Sequence, residues 1–404
     1  IAPPRSLRDP LPMRVALVVP YAWSVPGGVR SHVAGFVRFL LREGIEAEIL
    51  APGARSTADG APAAPAARLV DLGPTIPILD NGSYVHVALA PRAIVRTARA
   101  VRVPRYDLVH VHEPMIPAVS LTALLRACAP LVGTFHMYAA TPRWYRVFAP
   151  LCRWALRRLD ARIAVSEAAR WHVARTCAGE YRIIPNGIDV RGFAVSEHPP
   201  GRAQVVFLGR AEPRKGLGVL LEAFARLPAH ARLGLVGVSE HELRRVAASL
   251  PPEVRSRIRA HGYLDDDARA RVLAEVDVLC APSLHGESFG MVLVEAMAAG
   301  VPVVASRVPG YVDVLPESCG RLVPPGDPRA LAEAVEALLA DPELRRALGS
   351  AGRSAAARYD WSVVGAAILD VYDDVLRRRA ARAVPGELAR APWPRTSLER
   401  ARLR

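Results

Sequence analysis

Short apolar runs alternate with longer segments of helical period along most of this chain. Arg14–Pro20, Glu46–Ala51, Asp107–His112, Pro130–His136, Ala161–Ser166 and Tyr181–Ile184 read as buried strands separated by helix-length stretches. The first of those stretches runs to about Arg42 and stops at Gly44. After the polar, proline-bearing segment Arg191–Arg202, which reads as a linker, the pattern repeats. Strands are predicted at Gln204–Leu208, Arg232–Val236, Arg257–Gly262, Asp277–Ala281, Pro302–Ala305 and Arg321–Pro324. Helices are predicted at Leu217–Arg226, Glu240–Ser249, Asp267–Glu275, Met291–Ala299, Arg329–Ala340 and Glu343–Tyr359. This alternation predicts an α/β protein with two doubly wound parallel sheets, one in residues 13–190 and one in residues 200–360. Asp360-Trp361-Ser362 caps a last helix to about Arg379. Residues 52–68, rich in Ala, Pro and Gly, read as a loop; residues 1–12 read as a disordered extension ahead of Met13, and 383–404 as a disordered basic tail.

The most informative stretch is His285-Gly-Glu-Ser-Phe-Gly-Met-Val-Leu-Val-Glu-Ala-Met-Ala-Ala-Gly300. It reads as a loop entering a buried helix whose start offers free backbone N–H groups to an anion such as a diphosphate. Glu287 lies in the loop and Glu295 inside an otherwise apolar helix, where a carboxylate needs a partner or a ligand. The plain alternative is a solvated loop glutamate and a satisfied core glutamate. Near the other end of the chain, a strand feeds Tyr21-Ala-Trp-Ser-Val-Pro-Gly27-Gly28-Val-Arg-Ser-His32 and then a helix. Strand, glycine turn and helix form a phosphate cradle, although the spacing is not Gly-x-Gly-x-x-Gly and does not support a dinucleotide cofactor.

Gly-Glu-Ser-Phe-Gly followed by Val-Glu-Ala-Met-Ala-Ala-Gly resembles the signature of retaining glycosyltransferases of family 4, which have the GT-B architecture. The stretch from Pro20-Tyr21 to Ser31-His32 is similar to the start of actinobacterial phosphatidylinositol mannosyltransferases. The resemblance spans roughly Met13 to Leu376. It implies two Rossmann-like domains facing each other across a central cleft, with the C-terminal helix (about 362–380) crossing back to the first. It also implies that Glu287 holds donor sugar hydroxyls and Glu295 the nucleotide ribose. Donor contacts would further include Gly28, Leu264, Ser288, Phe289, Gly290 and Met291, and acceptor contacts Tyr21, Gly27, Gly28, Asn81, Ser83 and His136.

Other segments carry parts of that chemistry. Arg210 and Lys215 follow a strand end in Arg-Ala-Glu-Pro-Arg-Lys-Gly, where two cations suit a diphosphate leaving group or, more plainly, a solvated basic loop. The loop is one residue shorter than in the resembling mannosyltransferases, which leaves open how Arg214 and Lys215 share the role. His136 ends Thr134-Phe135-His136 and matches the active-site histidine of those enzymes; Met137 follows where they carry a hydroxyl-bearing residue. His112-Glu113-Pro114 ends the preceding strand beside the acceptor cleft. Asp265-Asp266-Asp267 reads as a helix cap, not a metal-binding pair. No metal cluster is indicated by spacing, and no cofactor is expected beyond the nucleotide sugar as substrate.

Composition changes this picture in three ways. The formal net charge of +14 over 404 residues requires an anionic partner to be considered, but no nucleic-acid-binding module is present. Arg92, Arg96, Arg99 and Arg102 share one side of a helix, and Trp144, Tyr145, Phe148 and Trp154 lie among further arginines. Both suit an anionic lipid surface, and otherwise a solvated basic face. Five scattered cysteines point to a reducing compartment, and no apolar run is long enough to span a bilayer.

The expected activity is transfer of a sugar, mannose from GDP-mannose, to a lipid-linked or inositol-containing acceptor at the inner face of the plasma membrane. One departure concerns the acceptor: after Asn81-Gly82-Ser83 the resembling enzymes carry arginine where this chain has Tyr84-Val85-His86-Val87-Ala88. A sibling transferase using UDP-GlcNAc or UDP-glucose and another acceptor remains open, as does a non-catalytic basic protein that binds anionic polymers.

Overall fold

The computed structural model describes residues 12–54, 67–80, 83–103, 105–139, 143–195 and 203–382, with the side chains of 80, 83, 143–149 and 382 outside that set. The expected N-terminal extension, the basic tail, Asn81, and the side chains of Ser83, Trp144, Tyr145 and Phe148 therefore lie outside the described set.

The first half contains β1 (Arg14–Val18), α1 (Gly28–Arg42), β2 (Glu46–Ala51), β3 (Arg68–Asp71), β4 (Ile76–Asp80), β5 (Ser83–Val87) and α2 (Pro91–Val101). It continues with β6 (Leu108–His112), α3 (Val119–Arg126), β7 (Leu131–Phe135), α4 (Arg143–Leu156), β8 (Ala161–Ala164), α5 (Glu167–Ala174) and β9 (Arg182–Ile183). Seven of these strands form a parallel sheet ordered β3-β2-β1-β6-β7-β8-β9. β4 and β5 pair separately as an antiparallel hairpin, which the prolines and polar residues between the apolar runs concealed.

The second half contains β10 (Gln204–Leu208), α6 (Leu217–Phe224), β11 (Arg232–Val236), α7 (Glu240–Val246), α8 (Pro252–Arg255), β12 (Ile258–Gly262), α9 (Asp266–Ala274) and β13 (Val278–Ala281). It ends with α10 (Met291–Ala298), β14 (Val303–Ser306), α11 (Pro309–Val312), β15 (Gly320–Val323), α12 (Pro328–Ala340) and α13 (Pro342–Ala356). Its sheet is ordered β12-β11-β10-β13-β14-β15, all parallel. Strands buried on both faces must be apolar throughout, which is why β10, β13 and β14 were legible.

In each sheet the chain order reverses beside its first strand: between β1 and β6, and between β10 and β13. Loops leaving neighbouring strands there part to opposite faces and open a crevice. The loops after β1, β6 and β7 carry Tyr21–Gly28, His112–Glu113 and His136; those after β10 and β13 carry Arg210–Lys215 and Ser283–Gly290.

The final helix, α14 (Trp361–Arg382), returns to the first half and packs along α1. The approach is close enough to require glycine: a Cβ on Gly35 would sit 2.4 Å from Trp361 Nε1. Trp361, Val364, Ile368 and Tyr372 share the core of β1, α1 and β2, so the second half is tied back to the first by burial of apolar surface.

Candidate active site

Glu287 sits where the β13 loop enters α10. It is 7% exposed, and its Oε1 accepts hydrogen bonds from Lys215 Nζ at 2.7 Å, Arg214 Nη1 at 2.9 Å and Ser283 Oγ at 3.0 Å. Burial alone would raise its pKa, but Lys215 and Arg214, with the hydrogen bonds from Lys215 and Ser283, outweigh that and hold the carboxyl below its ordinary range. It is therefore an anion at neutral pH. Both Arg214 and Lys215 reach the same oxygen, so the role left open between them is shared. Arg210 pairs with Glu212 at 2.9 Å, and Glu212 also meets Arg214 at 3.2 Å. Glu212 and Ser283 were not singled out from sequence, and Arg214 only as sharing a role with Lys215, since a loop of basic residues does not say which of them turns inward.

The start of α10 is open to an anion. Its N-cap, Gly290, has φ +91° and no side-chain cap, and no acid occupies the first turn. A side chain at Gly290 is excluded, because a Cβ there would meet Tyr311 at 2.7 Å. Ser288 and Phe289 lie in the loop just before Gly290, Ser288 half-buried and Phe289 buried. The Phe289 ring is buried against Tyr359, which leaves its backbone as the part able to meet a ligand. The Ser288 carbonyl accepts from Ser166 Oγ, the N-cap of α5 in the first half. Met291 approaches the opposite glycine turn, 3.8 Å from where a Cβ on Gly28 would lie.

Two cavities flank this helix start. One, of about 210 Å³, is lined by Tyr21, Gly27, Gly28, His136, Arg210 and Arg214, among others. Glu287 borders it through Arg214 and through Gly286, which is also in the lining. The other, of about 320 Å³, is lined by Glu295, Arg269, Met291, Asp266, Asp189 and Trp361, among others. Glu295 thus opens into the second cavity, whereas Glu287 lies behind Arg214 and Gly286 at the edge of the first. Glu295, 5% exposed, faces Arg269: Nη2 donates to Oε1 at 3.0 Å and Nε lies 3.0 Å from Oε2. Burial raises the Glu295 pKa more than Arg269 lowers it. Arg269 was missed because its partner lies 26 residues away on another helix. Asp265 caps α9 by accepting from Ala268 N at 2.7 Å, as the sequence indicated, and Leu264 is half-buried against the neighbouring core.

His136 is buried, with Nε2 3.0 Å from His112 Nδ1 and its backbone N–H donating to Glu113 Oε1. Burial pushes its pKa down to about 3, so the ring is neutral. Candidate metal ligands could not be seen in the spacing, but His32, His112 and His136 place ligating atoms within 4.8 Å of one another. His32, on α1, has neither ring nitrogen partnered, and His112 Nε2 is likewise without a partner. These three imidazoles are the group among the described residues able to hold a divalent ion.

On the outer surface of the first half, Arg92, Arg96, Arg99 and Arg102 are all exposed on or just after α2, with Arg96 paired to Asp71 at 3.4 Å. Ile94 and Val95 are exposed among them, whereas Val101 is buried. Ile76, Leu79 and Tyr84 on the β4–β5 hairpin and Trp154 on α4 are also exposed. Among the described residues no helix is long and apolar enough to cross a membrane.

Two Rossmann-like sheets, crevices at both switch points and a buried acid–base cluster at an open helix start define a glycosyltransferase of the GT-B class. Residues 26–191 match the family description Glycosyltransferase Family 4, and residues 191–355 match Glycosyl transferases group 1. The phosphatidyl-myo-inositol mannosyltransferase of Mycolicibacterium smegmatis is 38% identical over 377 residues, covering 90% of this chain and 94% of that protein. The D-inositol 3-phosphate glycosyltransferase of Xylanimonas cellulosilytica is 31% identical, covering 88% of this chain and 94% of that protein. Sucrose-phosphate synthase of Thermosynechococcus elongatus shares the fold, with a TM-score of 0.74 at 24% identity over 91% of this chain and 100% of that one. The chain belongs to glycosyltransferase family 4.

Proposed function

We propose that this enzyme transfers mannose from GDP-mannose to an inositol hydroxyl of phosphatidylinositol, with retention of configuration, at an anionic membrane surface. The observation that carries the reading is the Glu287–Lys215–Arg214 cluster beside the tip of α10, opposite Gly27, Gly28 and His136 across one cavity. The mannosyltransferase relatives, similar over nine-tenths of the chain, support the sugar and the acceptor.

The diphosphate of the donor lies against Arg210, Lys215 and the free N–H groups of α10, where charge develops as it departs. Glu287, kept ionised by its two cations, accepts hydrogen bonds from the sugar hydroxyls. Glu295 serves the ribose from the adjoining cavity. Asp266 and Asp267 line that cavity, and a carboxylate can accept from both the N1–H and the N2–H of guanine, an edge that uracil does not present. The acceptor hydroxyl attacks the anomeric carbon on the face the diphosphate is leaving. The bond from that carbon to the diphosphate oxygen breaks, and the acceptor proton passes to that oxygen. Neutral His136 orients the reacting groups by hydrogen bonding and carries no charge.

Exposed arginines on α2, interleaved with Ile94 and Val95, support docking on anionic lipid. The relative named for D-inositol 3-phosphate favours a second reading in which the acceptor is a soluble inositol phosphate. Vesicles containing phosphatidylinositol, incubated with GDP-mannose or UDP-sugars and followed by nucleoside diphosphate release, test the proposal. A mannolipid formed from GDP-mannose supports it, and turnover confined to a UDP-sugar or to soluble acceptors overturns it.

A further inference from the structure

Three arginines line the cavity between the halves, and two of them are engaged. Arg214 is held by Glu212 and Glu287, and Arg210 by Glu212. Arg30 is different. It is 9% exposed, its Nε has no hydrogen-bond partner, and no described carboxylate pairs with it. Its guanidinium lies 5.5 Å from the centre of the Trp23 ring. A guanidinium removed from water without a counter-ion is costly to the fold. Stacking on an indole offsets part of that cost but satisfies no N–H group.

Its position on the fold says what would satisfy it. Arg30 is in the first turn of α1, a helix of 15 residues whose N-cap, Gly27, has no side-chain cap and whose first turn holds no acid. Gly27, Gly28 and Arg30 line the same cavity, so the helix dipole and the guanidinium both favour an anion there. His86, on β5, lines the same cavity, and its Nδ1 is buried without a partner. The acid in the lining, Glu113, has Oε1 committed to the His136 backbone N–H. A planar guanidinium beside open helix N–H groups fits a tetrahedral oxyanion carrying several acceptor oxygens.

Given an inositol acceptor that bears a phosphate, as proposed above, we infer that Arg30, with the N-terminal turn of α1 and His86, forms the subsite that holds the acceptor phosphate. The phosphate chemistry is the same whether it belongs to a lipid headgroup or to a free inositol phosphate. Arg30 touches the acceptor and not the reacting atoms, so it sets acceptor affinity and specificity.

The test compares wild type with Arg30→Gln and Arg30→Lys. Steady-state kinetics with phosphatidylinositol vesicles and GDP-mannose separate acceptor KM from donor KM, and melting with myo-inositol 1-phosphate or neutral myo-inositol reports binding directly. Arg30→Gln should raise the acceptor KM about 10- to 100-fold, the range for one charge-assisted contact, and leave the donor KM within about twofold. Arg30→Lys should recover part of the loss. Myo-inositol 1-phosphate should stabilise wild type but not Arg30→Gln, and myo-inositol should stabilise neither. A folded Arg30→Gln with unchanged acceptor KM and unchanged stabilisation overturns the subsite. If wild type accepts only the soluble phosphate and the Arg30 dependence persists, the subsite stands and the lipid acceptor falls. If wild type turns over neither acceptor, the melting comparison still decides the subsite.

Discussion

Lys215 and Glu287, 72 residues apart in sequence, meet at 2.7 Å in the crevice between the two sheets. The lysine comes from the loop after β10 and the glutamate from the loop after β13, the two strands that flank the switch point of the second sheet. Arg214 meets the same oxygen. The site therefore holds a buried anion balanced by two cations, ready for a donor that is itself anionic at its diphosphate and hydroxyl-rich at its sugar.

Replacing Glu287 should separate chemistry from folding. Glu287→Ala removes the acceptor for the sugar hydroxyls and should lower kcat at least about 100-fold. Two cations are left facing each other at the surface of a cavity, so stability should fall by about 1–3 kcal/mol, and the protein should remain folded. Kinetics together with urea denaturation check both parts.

The same residue gives a pH dependence. The folded-state pKa of Glu287 is depressed, so its ionised form contributes stability above the unfolded value, and that contribution is lost as pH falls through the folded value. The difference in unfolding free energy between wild type and Glu287→Gln should be constant from neutral pH to near 4.5, then shrink toward zero in stronger acid. Denaturation midpoints measured across that range would show it; a difference that widens in acid would contradict the ion pairing.

Gly35 fixes the approach of α14 to α1. Gly35→Ala places a methyl 2.4 Å from Trp361 Nε1, so the crossing helix must shift. A loss of about 1–3 kcal/mol is expected from overpacking, with a decrease in the cooperativity of unfolding if the halves separate. Chemical denaturation followed by tryptophan fluorescence reads both.

Docking on lipid should depend on α2. Replacing Arg92, Arg96 and Arg99 with serine should weaken flotation with anionic liposomes by about 10- to 100-fold, since each basic residue near such a surface contributes on the order of 1 kcal/mol. Neutral liposomes should show no such dependence, and unchanged flotation on anionic ones would remove α2 from the membrane contact.

Most of the parallel strands were legible because a strand covered on both faces has to be apolar along its whole length, as Val205–Leu208 and Val303–Ala305 are, whereas the edge strand β3, nowhere fully buried, was not foreseen. Glu295 and His136 could be singled out because one breaks an apolar run and the other ends one, and Glu287 and Lys215 because their loops lie between a strand end and a helix start. The β4–β5 hairpin was not legible: Ile76 and Leu79 face solvent and Pro77 interrupts the run, so no period announces a strand. Nor were Arg269 and the pairing of Arg214 with Glu287, whose partners lie 26 and 73 residues away. Pairing across such separations is set by how the loops and helices meet, and one arginine in a basic chain looks like another. The histidine cluster is a further case, since α1, β6 and the end of β7 each supply one ring.

The most direct test is turnover of purified enzyme with GDP-mannose and phosphatidylinositol vesicles, followed by the anomeric configuration of the mannolipid. Release of GDP matched by an α-mannosyl product, with both lost in Glu287→Ala, is the predicted result. An inverted product, or full activity in the folded Glu287→Ala protein, would contradict it.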